Sequence, residues 1–394
     1  LITKFRKLLF VFGTRPEALK MAPLIREFRE HPALFEVKVC VSGQQREMLD
    51  QALSICQISP DYDLNIMQPG QDLCTVTSRI LSKLDKVLEI DDPDMVIVQG
   101  DTTTSLAASI SAFYRKIPIT HIEAGLRTFN KFSPWPEEMN RCLTSQLATW
   151  HFAPTVVSKN NLLAENIQPE QIMISGNTII DELKWMVKRI ESGDIPEKEI
   201  ETSLLGKGYD IHRLKDNRKL ILITGHRRES FGKGFQNICH AIRNISLVHP
   251  EVDLVFPVHL NPNVREPVHE ILGEFQSDNN IFLLEPLDYP LFVYLLSKSY
   301  LVLTDSGGIQ EEAPAFGLPV LLMRDTTERP EGVEAGTVRL VGTKREEIEF
   351  GVSSLLNDPV LYKRMSQASN PYGDGNAAKR IVDFFISQNR DNDS

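Results

Sequence analysis

A chain of 394 residues is long enough for two domains with separate apolar cores, and its 53 acidic against 43 basic side chains give a net charge of −10. That balance excludes a general nucleic-acid surface, which needs a clustered basic face, so any anion the protein holds must be met by local cations. Cys40, Cys56, Cys74, Cys142 and Cys239 follow no C-x-x-C spacing, which argues against a zinc site or a disulfide framework and for a reducing cytoplasm, while the longest apolar runs are strand-sized and too short to span a membrane.

The run "KLLFVFGTRPEALKMAPLIREF" reads as strand, loop and helix, with Leu19, Pro23, Leu24 and Phe28 toward one side of the helix. The same grammar recurs in "FEVKVCVSG" before "QQREMLDQAL", "DMVIVQGD" before "TTTSLAASISAFYR", "IPITHIEAG" before a longer loop, and "TWHFAPT" before "VVSKNNLLAEN". Alternating β and α units of this length predict a parallel, doubly wound sheet over residues 1–187. A polar, charge-rich interval from Lys188 to Lys219 then marks a domain boundary. The series "KLILITGH", "VDLVFPVH", "NIFLLEP", "YLVLTDSGG", "LPVLLMRD" and "TVRLVG" predicts a second Rossmann-like domain within 188–370. The tail, 371–394, opens on turn residues and ends as an amphipathic helix expected to pack back on the first domain. The expected fold class is α/β, two Rossmann-like domains facing a central cleft, because open parallel sheets bind ligands beyond the carboxyl ends of their strands.

Most of the unusual polar residues fall just after predicted strands. "GTRPE" puts Arg15 at a loop-to-helix junction where backbone N–H groups and a guanidinium can share one anion, and Lys20, one turn on, has the weaker claim of an ordinarily solvated lysine. Asp101 in "GDTTTS" ends a strand, either as the N-cap of the next helix or as a functional carboxylate. In "HIEAGLRT", His121 and Glu123 share a strand face, with Glu123 directed toward Asp101 or else paired with Arg127. "PWPEEMNR" adds Glu137, Glu138 and Arg141 on a loop leading into a helix. Carboxylates from separate strand ends make an acid/base cluster, because crowding keeps one protonated while another stays ionised. A divalent-metal site is the other reading, and no histidine pair or D-x-D spacing supports it.

In the second half, "TGHRRESFGKGF" places His226, Arg227, Arg228 and Glu229 after a strand, a cluster suited to a diphosphate, with His226 able to protonate a departing phosphate. His259 in "PVHLNPNV" occupies a similar place. In "DSGGIQEEAPAFGLPVL", Ser306, Gly307 and Gly308 form a helix N-terminus where missing Cβ atoms let backbone N–H groups approach an anion. Glu312, one turn in, can accept two hydrogen bonds from a ribose diol, Glu311 points elsewhere, and Arg324 and Arg329 return to the same rim. Together these features describe a nucleotide diphosphate carrying a sugar.

Taken in order, "FGTRPEALKMAPL", "GDTTTS", "HIEAGLRT", "PWPEEMNR", "TGHRRESFGKGF", "LTDSGGIQEEAPAFGLPVLLMRDTTERPE" and "NPYGDG" resemble the non-hydrolysing UDP-N-acetylglucosamine 2-epimerases over almost the whole chain. The resemblance implies the GT-B glycosyltransferase-like fold, a homodimer, and interconversion of UDP-GlcNAc with UDP-ManNAc for surface polysaccharide synthesis, with no nicotinamide or metal cofactor. The C2 proton would leave as UDP departs from C1, giving 2-acetamidoglucal, and UDP would add back with protonation on the opposite face. The resemblance further implies Asp101, Glu123 and Glu137 as carboxylates at the sugar, and His226 as the aid to phosphate departure. Arg15, Ser306, Gly307, Gly308, Glu312 and Arg329 would hold UDP, Lys20 and Arg141 would support the site, and His259 and Phe292 would also meet the substrate. "VSGQQREMLDQAL" departs from the family, which commonly has Gln-His where this chain has Gln44-Gln45; that segment, with Arg46, is associated with a second, regulatory UDP-GlcNAc. Hydrolysing 2-epimerases share the fold and several of these motifs, and a UDP-sugar glycosyltransferase of the same fold would use the same UDP-binding half.

Overall fold

In the computed structural model, which describes residues 6–68, 70–273 and 280–391, the first apolar run forms β1 (Lys7–Phe12), buried from Leu8 onward. A strand apolar on both faces needs cover on both, which the interior of a parallel sheet supplies. The chain continues through α1 (Arg15–Arg29), β2 (Glu36–Val41), α2 (Arg46–Ile55), β3 (Tyr62–Asp63), α3 (Leu73–Asp91), β4 (Met95–Gln99) and α4 (Thr103–Tyr114). There follow β5 (Ile119–Ile122), α5 (Glu137–Leu147), β6 (Trp150–Ala153), α6 (Val156–Ala164), β7 (Ile172–Ile174) and α7 (Thr178–Glu191). The strands lie in the order β3-β2-β1-β4-β5-β6-β7, every pair parallel. The order reverses between β1 and β4, so the loops after those two strands lead to helices on opposite faces and part at the sheet's carboxyl edge, where such sheets bind ligands. One face is filled by Leu9, Val11, Val96 and Val98 against Ile80, Leu84 and Leu88 of α3 and Ala107, Ala108 and Ala112 of α4.

The chain leaves this unit at Glu182–Leu183 and returns to it at Pro371–Tyr372. The returning segment carries α16 (Ala377–Asp391), whose Phe385 lies 5.8 Å from Phe28 of α1 and whose Phe384 packs edge-on to Trp150 of β6 at 5.0 Å. The first turn of α16 is fixed by Asp181 of α7, whose carboxylate accepts the N–H groups of Ala377 and Ala378 at 3.2 and 2.9 Å.

The second unit contains α8 (Glu197–Gly206), β8 (Lys219–Thr224), α9 (Lys233–Val248), β9 (Val252–Pro257), α10 (Pro262–Leu272), β10 (Ile281–Leu284) and α11 (Tyr289–Ser297). It closes with β11 (Leu301–Thr304), α12 (Gly307–Glu312), β12 (Val320–Leu322), α13 (Pro330–Glu334), β13 (Val338–Leu340), α14 (Arg345–Asn357) and α15 (Pro359–Ser366). Its parallel sheet runs β10-β9-β8-β11-β12-β13, reversing between β8 and β11. Ile221, Ile223, Leu254, Phe256, Leu301 and Leu303 form the strand layer of its core. The charge-rich stretch before β8 has a structural task here. Asp253, fully buried in β9, is met by Arg213 at 3.0 Å, Arg218 at 2.7 Å and the Tyr209 hydroxyl at 3.2 Å, which compensates a carboxylate that would otherwise be costly to desolvate. Among the described residues no helix is long and apolar enough to cross a membrane.

Candidate active site

At the switch point of the first sheet, the turn from β1 into α1 is built by Glu17. Its Oε2 accepts the N–H groups of Gly13 and Thr14 at 3.0 and 2.9 Å and the Thr14 hydroxyl at 2.8 Å, while Oε1 accepts the hydroxyls of Thr102 at 2.7 Å and Ser105 at 3.0 Å. One buried carboxylate thus ties the loop that carries Arg15 to the loop that carries Asp101. Gly13 is obligatory, since a Cβ there would meet Ser42 Oγ at 2.0 Å. Sequence reasoning missed Glu17, although the T-x-x-E spacing from Thr14 spells a capping box.

Asp101 follows β4 and is not a helix cap: Thr102 caps α4, its hydroxyl accepting the Ser105 N–H at 3.1 Å. The Asp101 carboxylate is instead ion-paired with Arg141 of α5, and its carbonyl accepts from Asn140 at 2.9 Å. Glu137 opens α5 one turn before Arg141 and so shares its side of the helix. Its neighbour Glu138 turns inward and accepts the N–H groups of Thr128 and Phe129 at 3.0 and 2.9 Å, holding the loop ahead of α5.

The expected strand alternation of His121 and Glu123 fails by one residue. β5 ends at Ile122 and Glu123 lies beyond it with φ 61, a left-handed conformation that breaks the pleat. His121 stays in the sheet, its Nε2 2.8 Å from the Gly100 carbonyl; burial pulls its pKa down to about 4, so the ring is neutral and donates that hydrogen bond. Glu123 is not paired with Arg127, which forks onto Glu165 at 2.6 and 2.8 Å. It pairs with Lys20, which is 8 % exposed rather than solvated, and accepts from Asn177 Nδ2 at 2.9 Å. Asp101 with Arg141, and Glu123 with Lys20, are the pairings the structure creates; Arg15 is half-buried at the start of α1.

A cavity of about 690 Å³ opens beside this region, lined by Gln44, Met67, Gln68, Gln71, Asp72 and Trp135 among others. Gln44 accepts from Thr104 at 2.9 Å. Gln45 is exposed and outside the lining, and Arg46 forms ion pairs with Asp50 and Asp63.

At the switch point of the second sheet, Asp305 after β11 is the organising carboxylate. Its Oδ2 accepts the N–H groups of His226 and Arg227, both at 2.8 Å, and the His226 ring stacks on His259 at 5.4 Å. The arginines suited to a diphosphate are already engaged. Arg329 bonds Glu311 at 2.6 Å and Glu328 at 2.7 Å, Arg324 bonds Glu328 at 2.7 Å and Glu229 at 2.5 Å, and Arg227 lies 3.6 Å from Glu328. Burial pushes the Glu328 pKa up, but Arg329, Arg324 and Arg227 together hold it at about 2. Each of these arginines is thus paired with a carboxylate. The need for glycine at 307 is also more specific than access to N–H groups, because a Cβ there would lie 2.5 Å from Arg329 Nη1. Ser306 precedes α12, its N–H donating to Thr304 Oγ1 at 2.9 Å; Glu312 accepts from the Tyr289 hydroxyl at 3.2 Å, and Gly308 leaves 3.7 Å to Glu312 Oε1. Phe292 is half-buried in α11. Among the described residues no three His, Cys, Asp or Glu side chains are grouped to hold a metal ion.

The family model described as UDP-N-acetylglucosamine 2-epimerase matches residues 26–386. The UDP-N-acetylglucosamine 2-epimerase of Escherichia coli O157:H7 is 55 % identical over 377 residues, 96 % of this chain and 97 % of that one, and the Campylobacter jejuni enzyme is 50 % identical over 381 residues, 97 % of each. The crystal structure of the Neisseria meningitidis UDP-GlcNAc 2-epimerase bound to UDP-GlcNAc superposes with a TM-score of 0.89 at 51 % identity, covering 97 % of this chain and 100 % of that one. The Methanocaldococcus jannaschii enzyme in complex with UDP-GlcNAc and UDP gives 0.80 at 32 % identity, covering 97 % and 99 %.

Proposed function

Because this chain belongs to the UDP-N-acetylglucosamine 2-epimerase family, we propose that it interconverts UDP-GlcNAc and UDP-ManNAc by inverting C2 of the sugar, supplying a precursor for surface polysaccharide. The observation that carries the reading is the pair of carboxylates, Asp101 and Glu123, at the ends of adjacent strands, each paired with a buried cation, Arg141 and Lys20. A carboxylate at C2 takes the proton as the C1–O bond breaks and its electron pair leaves on the diphosphate of UDP; the C1–C2 double bond of 2-acetamidoglucal results. In the return step an oxygen of UDP attacks C1 and a proton enters C2 from the opposite face. Two acid/base groups on opposite faces are therefore required, and Asp101, Glu123 and Glu137 supply them. His226, held through its backbone by Asp305, protonates the leaving phosphate. Arg15, Ser306, Gly307, Gly308, Glu312 and Arg329 hold UDP, with His259 and Phe292 beside them.

The cavity at Gln44 takes a second UDP-GlcNAc as effector. The enzyme is a homodimer, supported by Ile90, Phe113 and Tyr114, large apolar side chains left exposed where Arg115 ties α4 to Asp85 and Glu89 of α3. Its five free thiols suit the cytoplasm.

The test is incubation with UDP-GlcNAc alone in deuterated water. UDP-ManNAc carrying one deuteron at C2 is expected, with the same label appearing in recovered UDP-GlcNAc; product without deuterium overturns the elimination.

A further inference from the structure

Asn177 lies between β7 and α7, and its side-chain amide has one orientation. Its Oδ1 accepts the N–H of Ile179 at 3.2 Å, capping α7, which only the oxygen can do, so the atom 2.9 Å from Glu123 Oε2 is Nδ2. The residue's own N–H donates to the Tyr372 carbonyl at 2.7 Å, where the chain returns to the first unit. There Gly176 and Gly373, with φ of 86 and 128, approach so closely that a Cβ on either would lie 3.4 Å from the other's Cα. Asn177 is 2 % exposed, so nothing about this arrangement is incidental to solvent.

Asn177 gives Glu123 a second hold. Glu123 stands outside the ladder of β5, and Lys20, a point charge on a flexible four-carbon stem, fixes a distance without fixing a direction. An amide N–H supplied from a helix cap adds the direction. We propose that Asn177 is a positioning residue for the epimerisation: its N–H holds the Glu123 carboxylate at the angle the sugar carbon requires, while its oxygen and backbone lock the amide to α7 and to the returning chain. This rests on the assignment of Glu123 to the chemistry.

Asn, Asp and Ser are nearly equal as N-caps, which makes two substitutions diagnostic. Asn177→Ser and Asn177→Asp both keep an oxygen for α7 and remove the N–H donor, and Asp in addition sets a second carboxylate against Glu123. A capping role alone leaves the kcat of Asn177→Ser at the natural value. The expected result is kcat reduced roughly 10-fold in Asn177→Ser, with KM for UDP-GlcNAc and the unfolding midpoint near those of the natural protein, and about 100-fold in Asn177→Asp, while Glu123→Gln loses turnover altogether. Natural kcat in both Asn177 variants beside an inactive Glu123→Gln overturns the role of Asn177 and leaves Glu123 in place. Turnover retained in Glu123→Gln overturns both assignments. Loss of kcat that merely follows a loss of folded protein overturns the positioning role as well.

Discussion

Five donor groups lie within hydrogen-bond distance of the two Glu17 oxygens, the Ser105 hydroxyl being shared with the Gln99 carbonyl at 2.6 Å, and burial nonetheless pushes the Glu17 pKa up against the donors that favour the charged form. Its donors differ in what they tolerate. The backbone N–H groups of Gly13 and Thr14 can only donate, whereas the hydroxyls of Thr102 and Ser105 can turn round and accept. Glu17→Ala strands two buried N–H groups at about 1–3 kcal/mol each, so a loss of roughly 2–6 kcal/mol is expected in denaturant unfolding. Glu17→Gln keeps an oxygen for those N–H groups and offers its NH2 to the hydroxyls, and should lose under about 1.5 kcal/mol. An alanine variant as stable as the natural protein would mean that the two loops are held by something other than this carboxylate. The same asymmetry between local and distant partners explains which site residues could be read in advance. Asp101 and His226 announce themselves by following a strand and a glycine, a pattern of a few adjacent letters. The burial of Lys20 depends on a partner 103 positions away, and no local pattern carries that.

At the scale of elements, the β/α alternation is legible because each strand must be covered on both faces and therefore reads as a continuous apolar run, as β1 and β4 do. Less legible is where a strand ends: β5 stops one residue before its pattern does, because Glu123 adopts a left-handed backbone. β5 and β6 also bury two histidines side by side, His121 opposite His151. Burial is the main cause that lowers their pKa values to about 4 and about 3, from an ordinary 6.5. A base whose folded pKa is depressed costs nothing above its unfolded value. As pH falls below about 6.5 the unfolded chain takes up protons that the folded chain refuses, so stability drops until the folded values are reached, at about 1.36 kcal/mol per pH unit for each group. Carboxylates blur this below pH 5, which leaves a readable window from about 6.5 to 5. His151→Leu should reduce the slope of unfolding free energy against pH in that window by about one proton per molecule. An unchanged slope would show that His151 is charged in the folded protein or titrates elsewhere.

For the molecule as a whole, both sheets reverse strand order once, and the residues assigned to the substrate gather at those reversals: Arg15 and Asp101 after β1 and β4, His226 and Ser306 after β8 and β11. The cavity at Gln44, proposed as the effector site, lies beside the first of these, and a link from it to the chemistry would run through the chain itself. Gln44 is bonded to Thr104 at the start of α4, and Trp135, also in the lining, is two residues from Glu137. A nucleotide sugar filling that cavity would fix Trp135 and hence the start of α5, from which Glu137 and Arg141 project. An effector can shift a working conformation only by its differential affinity for it, and a coupling of about 1–3 kcal/mol corresponds to roughly 5- to 150-fold in rate or affinity. UDP-ManNAc alone should therefore be a poor substrate, with its conversion rising by a factor in that range when a trace of UDP-GlcNAc is added. Gln45, exposed and uncharged, contributes no titrating group to the cavity, so the activation should hold steady between about pH 5 and 8, where a histidine would change charge. Gln44→Ala removes a lining amide without touching Asp101, Glu123 or Glu137, and should abolish the activation while forward turnover at high UDP-GlcNAc is diminished. The measurement is initial rate from UDP-ManNAc, with and without trace UDP-GlcNAc, across that pH range. Full reverse activity without effector, unchanged by Gln44→Ala, would mean that the cavity has no part in turnover and that α2 merely begins with a polar stretch.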